Sequence, residues 1–164
     1  MANARDVRAT LLLLKLMERM RRTVAHEYGV PTCSLRVAGS CITRITAEAD
    51  PASYGKLHVD ERSDARYHLS AVLHLQSQGS GFEGGELVFS DKEPGAVHDE
   101  RSLTPLPPVQ GRLLVFSSGW ENEHYVSRVT NGVRFALPVF FELQRDGEDD
   151  DRWLAESVCE LWSA

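Results

Sequence analysis

Two histidines and one aspartate hold the chemistry that this chain can do. His58-Val59-Asp60 sets an imidazole and a carboxylate two residues apart. Residues 57–60 read as a short strand, where positions i and i+2 share a face. The pair can therefore converge on one metal ion. A His-x-acid pair is a weak signal alone: His98-Asp99-Glu100 shows it too, inside a proline-rich stretch expected to be a surface loop. The signal gains weight from His124, 66 residues beyond His58, at the start of a later strand behind Trp120-Glu121-Asn122-Glu123. It can supply a third ligand. Two histidines and one carboxylate on one side of an octahedral ion leave the opposite positions open, which suits ferrous iron. Zinc favours a closed tetrahedron or three ligands and a water, and the three residues alone leave it open.

The preference for iron comes from Arg134, ten residues after His124 and just past an Asn131-Gly132 turn. A guanidinium forms two parallel hydrogen bonds with a carboxylate and keeps its charge when desolvated. A cation pointing into the same barrel as the metal suits a cosubstrate with a keto-acid at one end and a carboxylate at the other. The competing reading of Arg134 is a surface ion pair. A second motif misleads. Residues 79–84 match GxGxxG, but they run into Leu87-Val88-Phe89, a strand. No helix N-terminus would face a pyrophosphate there.

The elements that must position these residues follow from periodicity. Residues 4–28 form a helix with Leu13, Met17, Met20, Val24 and Tyr28 on one stripe. Asn3 caps it, and Gly29 and Pro31 end it. From Thr32 to Phe141 the pattern changes to short β-branched runs. Strands are expected at 34–37, 41–46, 57–60, 69–76, 86–89, 112–117, 125–129 and 133–141. Asn131-Gly132 between the last two predicts a hairpin. Residues 91–108, with five prolines and glycines, are expected to be a surface loop. Many short strands without alternating helices argue for a β-sandwich or barrel. An acidic run at 146–151 precedes Trp153, Leu154, Val158, Leu161 and Trp162, expected to form a helix over about 146–162 that packs back on the barrel.

Composition bounds the rest. The 164 residues are 42% hydrophobic and 26% charged, enough for one domain, 1–164, with its own core. The net charge of −6 disfavours a nucleic-acid partner. Cys33, Cys41 and Cys159 are odd in number and form no CxxC, which suggests free thiols rather than a disulfide framework. Leu11 to Leu14 is interrupted by Lys15, too short for a membrane span or a signal peptide. A soluble chain is expected. The cytoplasm is slightly favoured, with the ER lumen as the alternative if the chain is trimmed from a longer precursor.

Six segments then resemble a known family in order and spacing: His58-Val59-Asp60, the run Leu69 to Leu75, Gly84 to Phe89, Gly111 to Phe116, Ser118 to His124, and Gly132-Val133-Arg134. Over about residues 32–143 the chain resembles the Fe(II)- and 2-oxoglutarate-dependent dioxygenases. The resemblance is to their prolyl-4-hydroxylase-like branch, and closest to the 2-oxoglutarate and iron-dependent oxygenase domain-containing group. It implies a mainly β fold with flanking helices, a double-stranded β-helix (jelly-roll, cupin-like). It assigns His58, Asp60 and His124 to Fe(II) and Arg134 to the distal carboxylate of 2-oxoglutarate, with ascorbate as an auxiliary reductant. His74 stands where many relatives carry a Tyr that touches that carboxylate. It can replace the phenol as a donor or be a satisfied core histidine. Ser70 stands where relatives often have a pocket-lining Thr. Leu87 would form an apolar wall; Tyr54 and Tyr67 are weaker candidates, and His26 and His68 read as structural.

The resemblance implies hydroxylation of an unactivated C–H of a peptidyl or amino-acid substrate, prolyl-hydroxylase-like, with release of succinate and CO2. Asp60 is the position that related halogenases vacate for chloride, which favours hydroxylation. The partners would be 2-oxoglutarate, O2 and a peptide, protein or small-molecule substrate. The alternative is a non-catalytic metal-binding jelly-roll. A cupin-type His-x-His site ranks last, because the chain has no His-x-His. Residues 47–56 and 91–108 are expected to form the mouth where substrate is selected.

Overall fold

The computed structural model describes residues 4–49, 55–91 and 102–144. Asn3, Tyr54, the His98-Asp99-Glu100 decoy, Cys159 and the expected C-terminal helix lie outside the described residues. Helix α1 (Ala4–Tyr28) opens the chain. It ends where Gly29 takes a left-handed φ of 63°, as its sequence predicts. Nine strands follow among the described residues: β1 (Leu35–Ser40), β2 (Thr43–Thr46), β3 (Leu69–His74), β4 (Phe82–Gly84), β5 (Leu87–Asp91), β6 (Ser102–Leu106), β7 (Leu113–Ser117), β8 (His124–Val126) and β9 (Val129–Leu143). All named pairings are antiparallel. The larger sheet runs β1-β9-β3-β7, with β2 and β4 also on β9; the smaller runs β6-β5-β8.

Period-two alternation decides what each face holds. Leu69 and Ala71 of β3 and Leu137, Val139 and Phe141 of β9 pack against Met17, Met20, Val24 and Ala25 of α1. The opposite face of the same sheet carries Val72 of β3, Phe116 of β7 and Ala136 of β9, which meet Leu87 of the smaller sheet, with Phe89 and Val126 packed against them. The larger sheet is thus covered by the helix on one side and by the smaller sheet on the other. Ser70, His74 and Arg134 share the parity of Val72 and Ala136, so they face inward between the sheets. The buried Arg21 ties α1 down, donating to the carbonyls of Thr32 (3.0 Å) and Leu35 (3.3 Å).

Three expectations need correction. Asn131-Gly132 is no hairpin turn. Both residues lie within the fifteen-residue β9, paired with Glu83 and Phe82 of β4. Gly132 has a φ of 73°, and a Cβ there would sit 2.0 Å from the Gly81 carbonyl. The glycine serves a close strand approach rather than a turn. The segment expected to be a loop at 91–108 contains β6, with Pro105 opposite Val88. β6 is an edge strand, where a missing N–H costs no ladder bond. Finally, residues 57–60 are not a strand: His58 makes a single bridge with His124, and a 3₁₀ turn spans Asp60–Arg62. Among the described residues no helix is long and apolar enough to cross a membrane.

Candidate metal centre

The bridge between His58 and His124 brings together residues 66 apart in sequence. His58 N–H donates to the His124 carbonyl (3.0 Å) and His124 N–H to that of His58 (2.9 Å). His124 opens β8, which hangs on β5 through Phe89. Asp60 is fixed by its turn. Val59 is 1% exposed, and Glu61 N–H donates to the Ser118 carbonyl at the end of β7 (3.1 Å). These anchors do what a shared strand face was expected to do.

One ligand atom from each of His58, Asp60 and His124 lies within 4.8 Å of the others. Asp60 Oδ1 is 3.7 Å from His58 Nε2 and 3.8 Å from His124 Nε2. The tautomers follow from the other ring nitrogens. His58 Nδ1 is 2.9 Å from the Lys56 carbonyl, and His124 Nδ1 is 2.8 Å from that of Asn122. A carbonyl only accepts, so each Nδ1 carries a hydrogen, and each Nε2 is left as the nitrogen that faces Asp60 and can ligate a metal. Neutral imidazoles held through the second nitrogen are the form that binds metal. Burial pushes the His124 imidazole below its usual range; the Asn122 carbonyl and Asp60 pull it up, and His58 pushes it down. Phe89 and Phe116 wall that ring, with centroids at 5.5 and 5.0 Å. The side chain of His58 is 44% exposed, so one side of the centre is open.

Deeper between the sheets, two polar side chains are buried without full partners. Both ring nitrogens of His74 and the Nε of Arg134 lack a hydrogen-bond partner, although His74 is 1% and Arg134 2% exposed. Desolvation lowers Arg134 to about 10, so the guanidinium stays charged at neutral pH. Burial, then the charges of Arg134 and Arg112, lower His74 to about 4, which keeps it neutral. Gly85 gives Arg134 its room: a Cβ there would lie 2.7 Å from Arg134 Cδ. A buried cation beside a neutral donor, both under-partnered, fits an anionic ligand.

The remaining candidates have other partners. Ser70 Oγ donates to Asp60 Oδ2 at 2.7 Å. Tyr67 stacks on Phe140, with its hydroxyl where a Cβ of Gly39 would be. His68 Nδ1 accepts from Leu143 N–H. His26 is on the surface of α1, 3.5 Å from Glu27. Leu87 is buried in the inner core. Sequence reasoning missed Ser118 and Asn122 as supports. Ser118 was legible in principle: the alternation of β7 puts it on the face of Phe116.

The sequence pattern of the 2OG-Fe(II) oxygenase superfamily matches residues 45–142. The chain belongs to this superfamily. Fe(II) and 2-oxoglutarate are the family's cofactor and cosubstrate, and its jelly-roll is the fold seen here. The chain is 26% identical over 144 residues to human 2-oxoglutarate and iron-dependent oxygenase domain-containing protein 3, covering 85% of this chain and 43% of that one. Over 92 residues it is 35% identical to chicken prolyl 3-hydroxylase 2, covering 56% of this chain and 12% of that one. A Pseudomonas putida prolyl-4-hydroxylase superposes with a TM-score of 0.57 at 25% identity, covering 80% of this chain and 65% of that one. The chain thus spans less than half the length of these two curated relatives.

Proposed function

We propose that the chain is an Fe(II)- and 2-oxoglutarate-dependent dioxygenase domain that hydroxylates an unactivated C–H of a peptidyl or amino-acid substrate. The prolyl class is the first to test, because two of the similar proteins, one from chicken and one from Pseudomonas putida, are named as prolyl hydroxylases. The observation that carries the reading is the triad of ligand atoms within 4.8 Å on a jelly-roll whose interior also holds the under-partnered Arg134 and His74.

His58 and His124 would present Nε2, and Asp60 one oxygen, to Fe(II). With O2, iron and 2-oxoglutarate supply the oxidising power for C–H hydroxylation and yield succinate and CO2. Arg134 would clasp the distal carboxylate through paired N–H donors, with His74 donating from one ring nitrogen. The neutral state of His74 matters, since it leaves Arg134 as the one full charge of the pair. Phe89 and Phe116 keep the His124 side of the centre dry, while the exposed edge of His58 leaves a way in for substrate.

The test is iron-dependent conversion of 2-oxoglutarate to succinate by the full chain, with proline-containing peptides supplied. Turnover is expected in the native chain and absent in His124→Ala, which should keep its far-UV spectrum and Tm within a few degrees. A native chain that binds no Fe(II) and forms no succinate would overturn the reading.

A further inference from the structure

Asp60 has two oxygens, and only one faces the histidines. Oδ1 is the atom near both Nε2 atoms; Oδ2 is bound to Ser70 Oγ at 2.7 Å. Ser70 Oγ is in turn 2.7 Å from Ser118 Oγ. Both serines are buried, at 0% and 1% exposure. An ionised carboxylate only accepts, so the single hydroxyl hydrogen of Ser70 points to Asp60. Ser70 must then accept from Ser118. The relay runs from Ser118 through Ser70 to Oδ2, and each bond polarises the next. The final bond, hydroxyl to carboxylate, is charge-assisted.

We propose that Ser70 and Ser118 are positioning residues that hold Asp60 to one-oxygen coordination by occupying Oδ2, and so keep one position on the metal open. This rests on the metal-centre reading above. It gives Ser70 a place behind the carboxylate rather than against 2-oxoglutarate. The serines come from β3 and the end of β7, while Asp60 stands on its own turn. The relay therefore also fixes the turn against the larger sheet, alongside the Glu61 N–H bond to the Ser118 carbonyl. Without the Ser70 hydroxyl, Oδ2 loses its donor in a buried site. A bound metal would then be open to Oδ2 as well as Oδ1, and two-oxygen binding would displace one water.

The experiment uses the full chain loaded with Mn(II) in place of Fe(II). Free Mn(II) is followed by EPR, and the waters on bound Mn(II) by water-proton relaxation. Native protein should bind one Mn(II). Ser70→Ala should bind Mn(II) with about one fewer exchangeable water, and Ser70→Thr, which restores the hydroxyl, should return the count. Ser118→Ala keeps the Ser70 bond but removes its polarising donor; it should move the count the same way by less. It also stands in if Ser70→Ala does not fold. Identical hydration in native protein and in whichever alanine variant folds would overturn the proposal. Failure of native protein to bind Mn(II), or native-like binding by Asp60→Ala, would overturn the metal reading itself. The two failures are therefore distinguishable.

Discussion

Arg134 is the residue whose burial most needs a reason. A guanidinium at 2% exposure with an unpartnered Nε costs stability until an anion reaches it. Arg134→Ala should therefore raise the KM for 2-oxoglutarate by about 10- to 100-fold, as expected for a lost charged hydrogen bond, with a smaller change in kcat. Steady-state kinetics check this, and an unchanged KM would remove Arg134 from the role. His74 makes a separate prediction about pH. Its native pKa of about 4 lies below its ordinary 6.5, so between those values the unfolded chain holds more protons than the native one. Stability is full above about pH 6.5, falls as pH drops toward 4, and levels off below. His124, also lowered, acts in the same sense. His74→Gln should flatten the fall in Tm over that window without abolishing it; an unchanged slope would contradict the buried neutral imidazole.

At the scale of elements, the misread segments share one cause. Helix α1 was legible because a 3.6-residue stripe and a glycine stop are local signals, and α1 runs over Ala4–Tyr28. Asn131-Gly132 is also a strong local signal, but long-range pairing won: β4 lies against that stretch and β9 continues through it. The Pro105 strand was hidden for the same reason, since an edge position depends on its neighbours. His58, Asp60 and His124 were legible by type and order, yet not by the device that joins them. That device is a two-residue bridge and a 3₁₀ turn rather than a strand. Ser118 supports the site through tertiary hydrogen bonds and Asn122 through its main-chain carbonyl, and neither leaves much mark on residue type. Gly132→Ala should cost at least about 2 kcal/mol, from a left-handed φ and a Cβ set against the Gly81 carbonyl. Denaturant unfolding measures this, and a near-neutral result would mean that β4 can withdraw freely from β9.

On the scale of the molecule, the two sides of the larger sheet do different work. The side under α1 buries Leu69, Ala71, Leu137, Val139 and Phe141 of the sheet against the helix. The side toward the smaller sheet mixes Val72, Phe116 and Ala136 with the buried Ser70, His74 and Arg134. A core that accepts charged and orphaned groups gives up stability there, and the apolar layer under the helix offsets it. The most direct test of this arrangement is a crystal structure of the chain with Mn(II) and N-oxalylglycine, a stable mimic of 2-oxoglutarate. One anomalous peak should lie within bonding distance of His58 Nε2, His124 Nε2 and Asp60 Oδ1 together. The distal carboxylate of the mimic should rest on Arg134. A metal held by other residues, or a mimic bound away from Arg134, would contradict the account.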